Sequence, residues 1–286
     1  MNMIKEKNKQ WLSLLVGISL LTGLVACTGE TMLSPSGEGK PVIVNAEINS
    51  DQPVTEITRA QIEENTYDRS TFIASDKIRI TRTTLANRSE AADYQLDEDG
   101  QWTSTSTPLT LLAGASYQAV YPAGNDAVII YDQSSVDNYI KSNRLVSASI
   151  KAPETDKLKF VFDHQNTKLT LEFNPKVSGA IPADFSFQVS APGLRTGGAD
   201  SEPIKLFRPN DEALTWCGIV FPKNAETTIT VTLTYNGVNY NSTFKCLLSP
   251  KTHYKYTLSI HNNILVPEAN EILGWTDEIN YTGPIE

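Results

Sequence analysis

From Pro41 onward the chain places apolar side chains on every second residue, run after run, and closes each run with Gly, Pro, Asn or Asp. Val42, Val44, Ala46 and Ile48 alternate in this way, as do Tyr117, Ala119 and Tyr121, then Leu158, Phe160 and Phe162, and Leu169, Leu171 and Phe173. Phe185, Phe187 and Val189 follow, and Tyr254, Tyr256, Leu258 and Ile260 line a late strand. Ile229, Val231, Leu233 and Tyr235 meet Tyr240 across Asn236-Gly237, a dipeptide that marks a hairpin. Period two suits strands with one buried and one wet face. Helical spacing is confined to Val136, Tyr139 and Ile140, within a short segment at 134–143. Many short strands without long intervening helices give an all-β sandwich class and exclude a βαβ sheet.

The first residues obey a different rule. Lys5, Lys7 and Lys9 precede an uncharged apolar run from Trp11 to Val25, which ends at Leu24-Val25-Ala26-Cys27. This is the layout of a secretory signal, and its last four residues resemble a lipobox, in which the Cys27 thiol is diacylated before cleavage. Residues 1–26 are therefore set apart as a lipoprotein signal, and Cys27 is the expected lipid-bearing first residue. Thr28 to Lys40 is rich in Ser, Gly, Pro and Glu and suits a tether. No later stretch approaches the ~20 apolar residues that a bilayer span requires.

Without its leader of 26 residues the 286-residue chain keeps 260, a comfortable length for two domains. The expected division is 27–59 as a lipidated tether with the first strand, then domains at 60–160 and 161–286. The net charge of −9 includes +2 from the leader, three Lys against one Glu, so the rest carries about −11. Dispersed Lys and Arg on so acidic a chain argue against nucleic acid as a partner. Beyond Cys27 only Cys217 and Cys246 are left, in no CxxC or His-spaced pattern. One disulfide and two buried free thiols fit equally well.

Residues with catalytic potential are sparse. His164, His253 and His261 lie in or beside strands with no nucleophile or ligand spacing around them, and nothing matches GxSxG, HExxH or a P-loop. His164 suits a hydrogen-bonded structural imidazole at a strand end. Asp97-Glu98-Asp99-Gly100 lacks the spaced ligands of a calcium loop and suits a polar hairpin turn. No metal, no cofactor and no enzymatic activity are expected. Trp102, Trp216, Trp275 and eleven Tyr could supply stacking platforms for a glycan, with Trp102, after a turn, the most exposed. Glu56-Ile57-Thr58-Arg59-Ala60 carries a strand into a polar linker. An isolated Arg there is ordinarily a solvated side chain, but linkers after strands are also where proteases cut.

Several elements taken in order resemble one family. They are the lipobox at Cys27, Thr58-Arg59-Ala60, Asp76-Lys77-Ile78-Arg79-Ile80, Tyr94, Trp102, and Tyr117-Gln118-Ala119-Val120-Tyr121-Pro122. Phe160-Val161-Phe162-Asp163-His164, Lys168-Leu169-Thr170-Leu171, Tyr254-Lys255-Tyr256-Thr257-Leu258 and Ile272-Leu273-Gly274-Trp275 complete the set. Together they resemble the fimbrillins of Bacteroidetes, pilin-like lipoproteins that build type V fimbriae. The resemblance implies two transthyretin-like β-sandwich domains in tandem, cleavage of Arg59–Ala60 by an Arg-specific protease, and assembly with other fimbrial subunits by strand exchange. It also implies a lipid-anchored precursor at the outer membrane that moves to a surface fimbrium, with a donor strand from the region of Ile272, Leu273 and Trp275. Eleven residues follow Trp275, and stalk, tip and anchor roles all stay open. A lipid-anchored glycan-binding β-sandwich protein is the alternative.

Overall fold

The computed structural model describes residues 39–49, 67–68, 70–124, 129–174, 184–209, 214–273 and 275, and its elements follow the alternation closely. In the first part of the chain these are β1 (Ile43–Ile48), β2 (Lys77–Thr83), β3 (Ser89–Leu96), β4 (Trp102–Ser104), β5 (Ser116–Tyr121), the helix α1 (Val136–Ser142), β6 (Leu145–Ser147), β7 (Ile150–Lys151) and β8 (Lys157–His164). They form one eight-stranded sheet of order β1-β8-β6-β5-β2-β3-β4, with β7 on β5. The sheet closes on itself at one end, because Pro41 bridges Thr110 and the Val42 amide donates to the Leu109 carbonyl at 3.0 Å. Its inner residues, among them Val42, Val44, Ile78, Ile80, Tyr94, Tyr117, Phe160 and Phe162, make one core. Each large side chain fully removed from water there contributes about 1.5–3 kcal/mol.

The later strands are β9 (Thr167–Phe173), β10 (Ser186–Ser190), β11 (Ile204–Lys205), β12 (Thr215–Val220), β13 (Thr227–Tyr235), β14 (Val238–Cys246), β15 (His253–His261) and β16 (Ile264–Leu273). They make two four-stranded sheets, β11-β10-β13-β14 and β12-β9-β15-β16, whose facing side chains share a second core. Trp216 sits in it, edge-on to Phe185 and Phe187 at 4.6 and 4.9 Å. On the wet face of the first of these sheets Thr230 meets Thr243, while Thr232 and Thr234 donate to Asn241 and Asn239. Alternation thus assigns apolar residues inward and hydroxyls outward, as a half-buried sheet demands. The all-β sandwich class expected from the sequence is the class the chain adopts.

Local turn chemistry is also as expected. Asn236 and Gly237 take φ of 52° and 71°, the left-handed pair of a tight hairpin, and Asp184 accepts from both of their amides. Asp97 accepts from the amides of Asp99 and Gln101, which makes Asp97–Gly100 the turn between β3 and β4. Helix α1 forms where helical spacing appears, capped by the Ser135 hydroxyl, but it buries Tyr139 and leaves Val136 at the surface.

Three features did not follow from periodicity. β1 runs parallel to β8, and β9 parallel to β15, pairings between strands that are not neighbours in the sequence. β16 is ten residues long yet hidden in the sequence, because Pro267 and a register shift at Thr257/Leu258 interrupt its alternation. The division between 160 and 161 lies inside β8, whose pairing with β6 runs on through His164.

Candidate functional site

Two of the parts that the sequence singles out, β1 and Trp275, lie against β8. β1 lies along one side of it in parallel register, from Ile43 opposite Lys157 to Ile48 opposite Phe162. The Ile43 and Asn49 amides donate to the Asp156 and Phe162 carbonyls, both at 2.8 Å. Odd-numbered backbone groups of β1 therefore point at β8 and even-numbered ones point away, since the strand alternates. Inward, Val42 and Val44 are buried in the first core, with Ala46 and Ile48 packed against it. Outward, Glu47 pairs with Lys159 at 3.0 Å, and Asn49 donates to Asp163 at 2.8 Å.

After Arg59 in the sequence, two short anchors tie the chain to both cores. The Tyr67 ring packs edge-on against Tyr139 and Phe207, at 6.1 and 5.1 Å. Asp68 accepts from the Tyr139 hydroxyl at 2.8 Å and forms an ion pair with Lys168, whose side chain is only 5% exposed. Phe72 inserts between Trp102, Tyr121 and Phe162 in the first core, with ring centroids 5.2–5.4 Å away. A buried charge pair is costly to desolvate and costlier to break, so Asp68 and Lys168 fix this register strongly.

The donor-strand candidates are at home in this structure. Ile272 and Leu273 pair with Tyr254 and His253 of β15, Ile272 with its side chain 72% exposed. Trp275 is buried and stacks on His164 at 3.9 Å, and its carbonyl accepts from Lys168 at 3.4 Å. His164 Nδ1 shares a hydrogen bond with Asn143 at 3.1 Å. Burial, and then the Lys168 charge, push the His164 pKa down to about 3, so the imidazole is neutral and structural. Lys168 thus touches both the anchor after Arg59 and the end of β16. Sequence reasoning named Tyr139 and Lys168 only for their patterns and did not name Asp68, because a lysine on a strand reads as solvated unless a further layer covers it.

Cys217 and Cys246 are free and buried, and burial pushes both thiols up to about 11, which makes them packing groups without nucleophilic character. Trp216 is buried, whereas Trp102 is partly exposed at the edge of its sheet. Among the described residues no cluster of His, Cys, Asp and Glu could hold a metal, and no helix is long and apolar enough to cross a membrane. Cys27, Arg59 and Ala60 lie outside the described residues.

Fold and site together define an all-β protein whose notable groups are strand edges and buried anchors. The model of the fimbrillin-like family matches residues 58–275, about three quarters of the chain, and the chain belongs to that family. It is a structural, non-enzymatic protein, a fimbrial or adhesive subunit that acts at the cell surface with other fimbrial subunits. Among solved structures, it is similar to a candidate cell adhesion protein from Bacteroides ovatus, with 17% identity, a TM-score of 0.59, and coverage of 84% of this chain and 99% of that one. A second candidate cell adhesion protein, from Bacteroides uniformis, gives 16% identity, a TM-score of 0.56, and coverage of 82% and 98%. These likenesses speak for the fold alone. No curated protein sequence gives a significant match.

Proposed function

We propose that the chain is exported as a precursor lipidated at Cys27, cleaved between Arg59 and Ala60, and polymerised by strand exchange into a surface fimbrium. The observation that carries this is the placement of β1. It precedes Arg59 in the sequence, occupies one edge of β8, and supplies Val42 and Val44 to a core built otherwise from residues after Arg59. Release of residues 28–59 would bare the edge of β8 and leave two apolar sockets, a surface that favours refilling by an incoming strand. Tyr67, Asp68 and Phe72, all after the cut, would keep the remaining subunit anchored to both cores. The donor region proposed is Ile272 to Trp275 and onward, which requires the end of β16 to peel from β15. Its release would give up the Trp275 stack on His164 and the Lys168 hydrogen bond to the Trp275 carbonyl, while the indole nitrogen has no hydrogen-bond partner among the described residues. Such a contact joins unlike surfaces and propagates into a filament.

An Arg-specific protease acting on the folded, lipid-free precursor should yield a new N-terminus at Ala60 together with oligomers, while Arg59→Ala should stay monomeric. A resistant Arg59, or a cut product that keeps β1 and remains a monomer, overturns the mechanism. Cys27→Ser should abolish metabolic labelling with palmitate, and persistence of the label would remove the lipid step.

A further inference from the structure

The eight-stranded sheet closes at one end of β1 and gapes at the other, leaving a groove of 720 Å³ between β1 and β4. One wall is Asn45, Ala46 and Asn49 with the even-numbered backbone groups that point away from β8. The other is Trp102 with Phe72, their rings 5.4 Å apart and nearly perpendicular, flanked by Ser70. The volume falls within the ~300–1,000 Å³ typical of small-molecule sites.

We propose that this groove binds a short, neutral oligosaccharide. An indole ring held edge-on by a phenyl ring gives the apolar face of a pyranose a fixed platform, while the carboxamides of Asn45 and Asn49 and the Ser70 hydroxyl offer both donors and acceptors to its hydroxyl groups. Charge selects against the common anionic ligands. The acidic lining residue Glu47 is already matched by Lys159 at 3.0 Å, which leaves no surplus cation from that pair to hold a phosphate or carboxylate. The lining also holds Ile48, Leu96 and Val161, so a peptide strand laid on β1 is the competing occupant that the titration separates from sugar. Since β1 forms one wall, the site is complete only while β1 is in place. It therefore belongs to the uncleaved chain, and it neither requires strand exchange nor fails with it.

The test is titration of the uncleaved full-length chain, in detergent, with cello-, manno-, malto- and xylo-hexaose, followed by calorimetry and saturation-transfer NMR. Binding at millimolar Kd or tighter to at least one of them is expected, with affinity lowered about tenfold or more in Trp102→Ala. Asn45→Arg, at an exposed position outside the core, should obstruct the groove equally and decides the matter if Trp102→Ala is unfolded by circular dichroism. Absence of response to all four sugars overturns the proposal. So does binding that survives both substitutions, or binding of a synthetic peptide of residues 276–286 without any response to sugar.

Discussion

The two regions of this molecule manage their sheet edges in opposite ways. In the later region β12 is sealed on its outer side. Gln133, fully buried, donates to the Ile219 carbonyl and accepts from the Ile219 amide, both at 2.8 Å, and Phe207 exchanges two backbone hydrogen bonds with Cys217. β16 is interrupted by Pro267 and a bulge, and the edge of β14 carries Asn239, Asn241 and Lys245 outward. Such devices blunt unwanted pairing. The earlier region does the reverse, ending its sheet on β1, whose outer edge faces a groove and which is joined to the rest by the segment carrying Arg59. One region covers or blunts its edges, whereas the other sets the outer edge of β1 on a groove. That contrast is a sharper sign of an assembling subunit than any single residue.

The firmest way to break the contrast is at Lys168, which belongs to the closed region but holds the anchor at Asp68. Lys168→Met leaves a buried carboxylate uncompensated and should cost about 3–5 kcal/mol in urea unfolding, most of it recovered in the double variant with Asp68→Leu. An exposed-type cost of under about 1 kcal/mol would mean that the pair is not buried in solution. Next in size is β1 itself. Val44→Ala should cost the uncleaved chain about 1.5–2.5 kcal/mol, through lost burial and a small cavity. Equal stability of the variant and the parent before cleavage would show that β1 does not pack as described.

A pH-dependent effect sits where the regions touch, at the stack of His164 on Trp275. With a folded pKa of about 3 against about 6.5 unfolded, His164 binds its proton more readily in the unfolded chain between these values. Its contribution to stability is therefore complete above about pH 6.5 and is lost as pH falls toward 3, at up to about 1.4 kcal/mol per pH unit. His164→Phe, which preserves a ring against Trp275, should flatten that slope in denaturation midpoints measured from about pH 4 to 7. A slope unchanged by the substitution would place the responsible proton elsewhere.

Most of the strands were legible because burial on one face of a sheet imposes period two on the sequence itself, as in Tyr117–Tyr121 and Leu158–Phe162. The turn at Asn236-Gly237 was legible for a similar reason, since few residues accept positive φ. Trp102 was rightly marked as the exposed tryptophan, but the groove beside it was not visible, being made by β1 and β4, which are far apart in the chain. The same holds for Ile272, Leu273 and Trp275, whose motif pointed to a donor while their pairing with β15 and stacking on His164 depend on tertiary contacts.

By itself, the sequence determined the all-β class, the inward and outward face of nearly every strand, and the position of a first strand ahead of Arg59, because these rest on local patterns. Only the tertiary structure decided that this strand runs parallel to β8, that Lys168 is buried against Asp68, and that β1 borders a groove while β12 is sealed by Gln133 and Phe207. The first two are non-local pairings, whose partners lie a hundred or more residues apart, and no periodicity within a single strand encodes them.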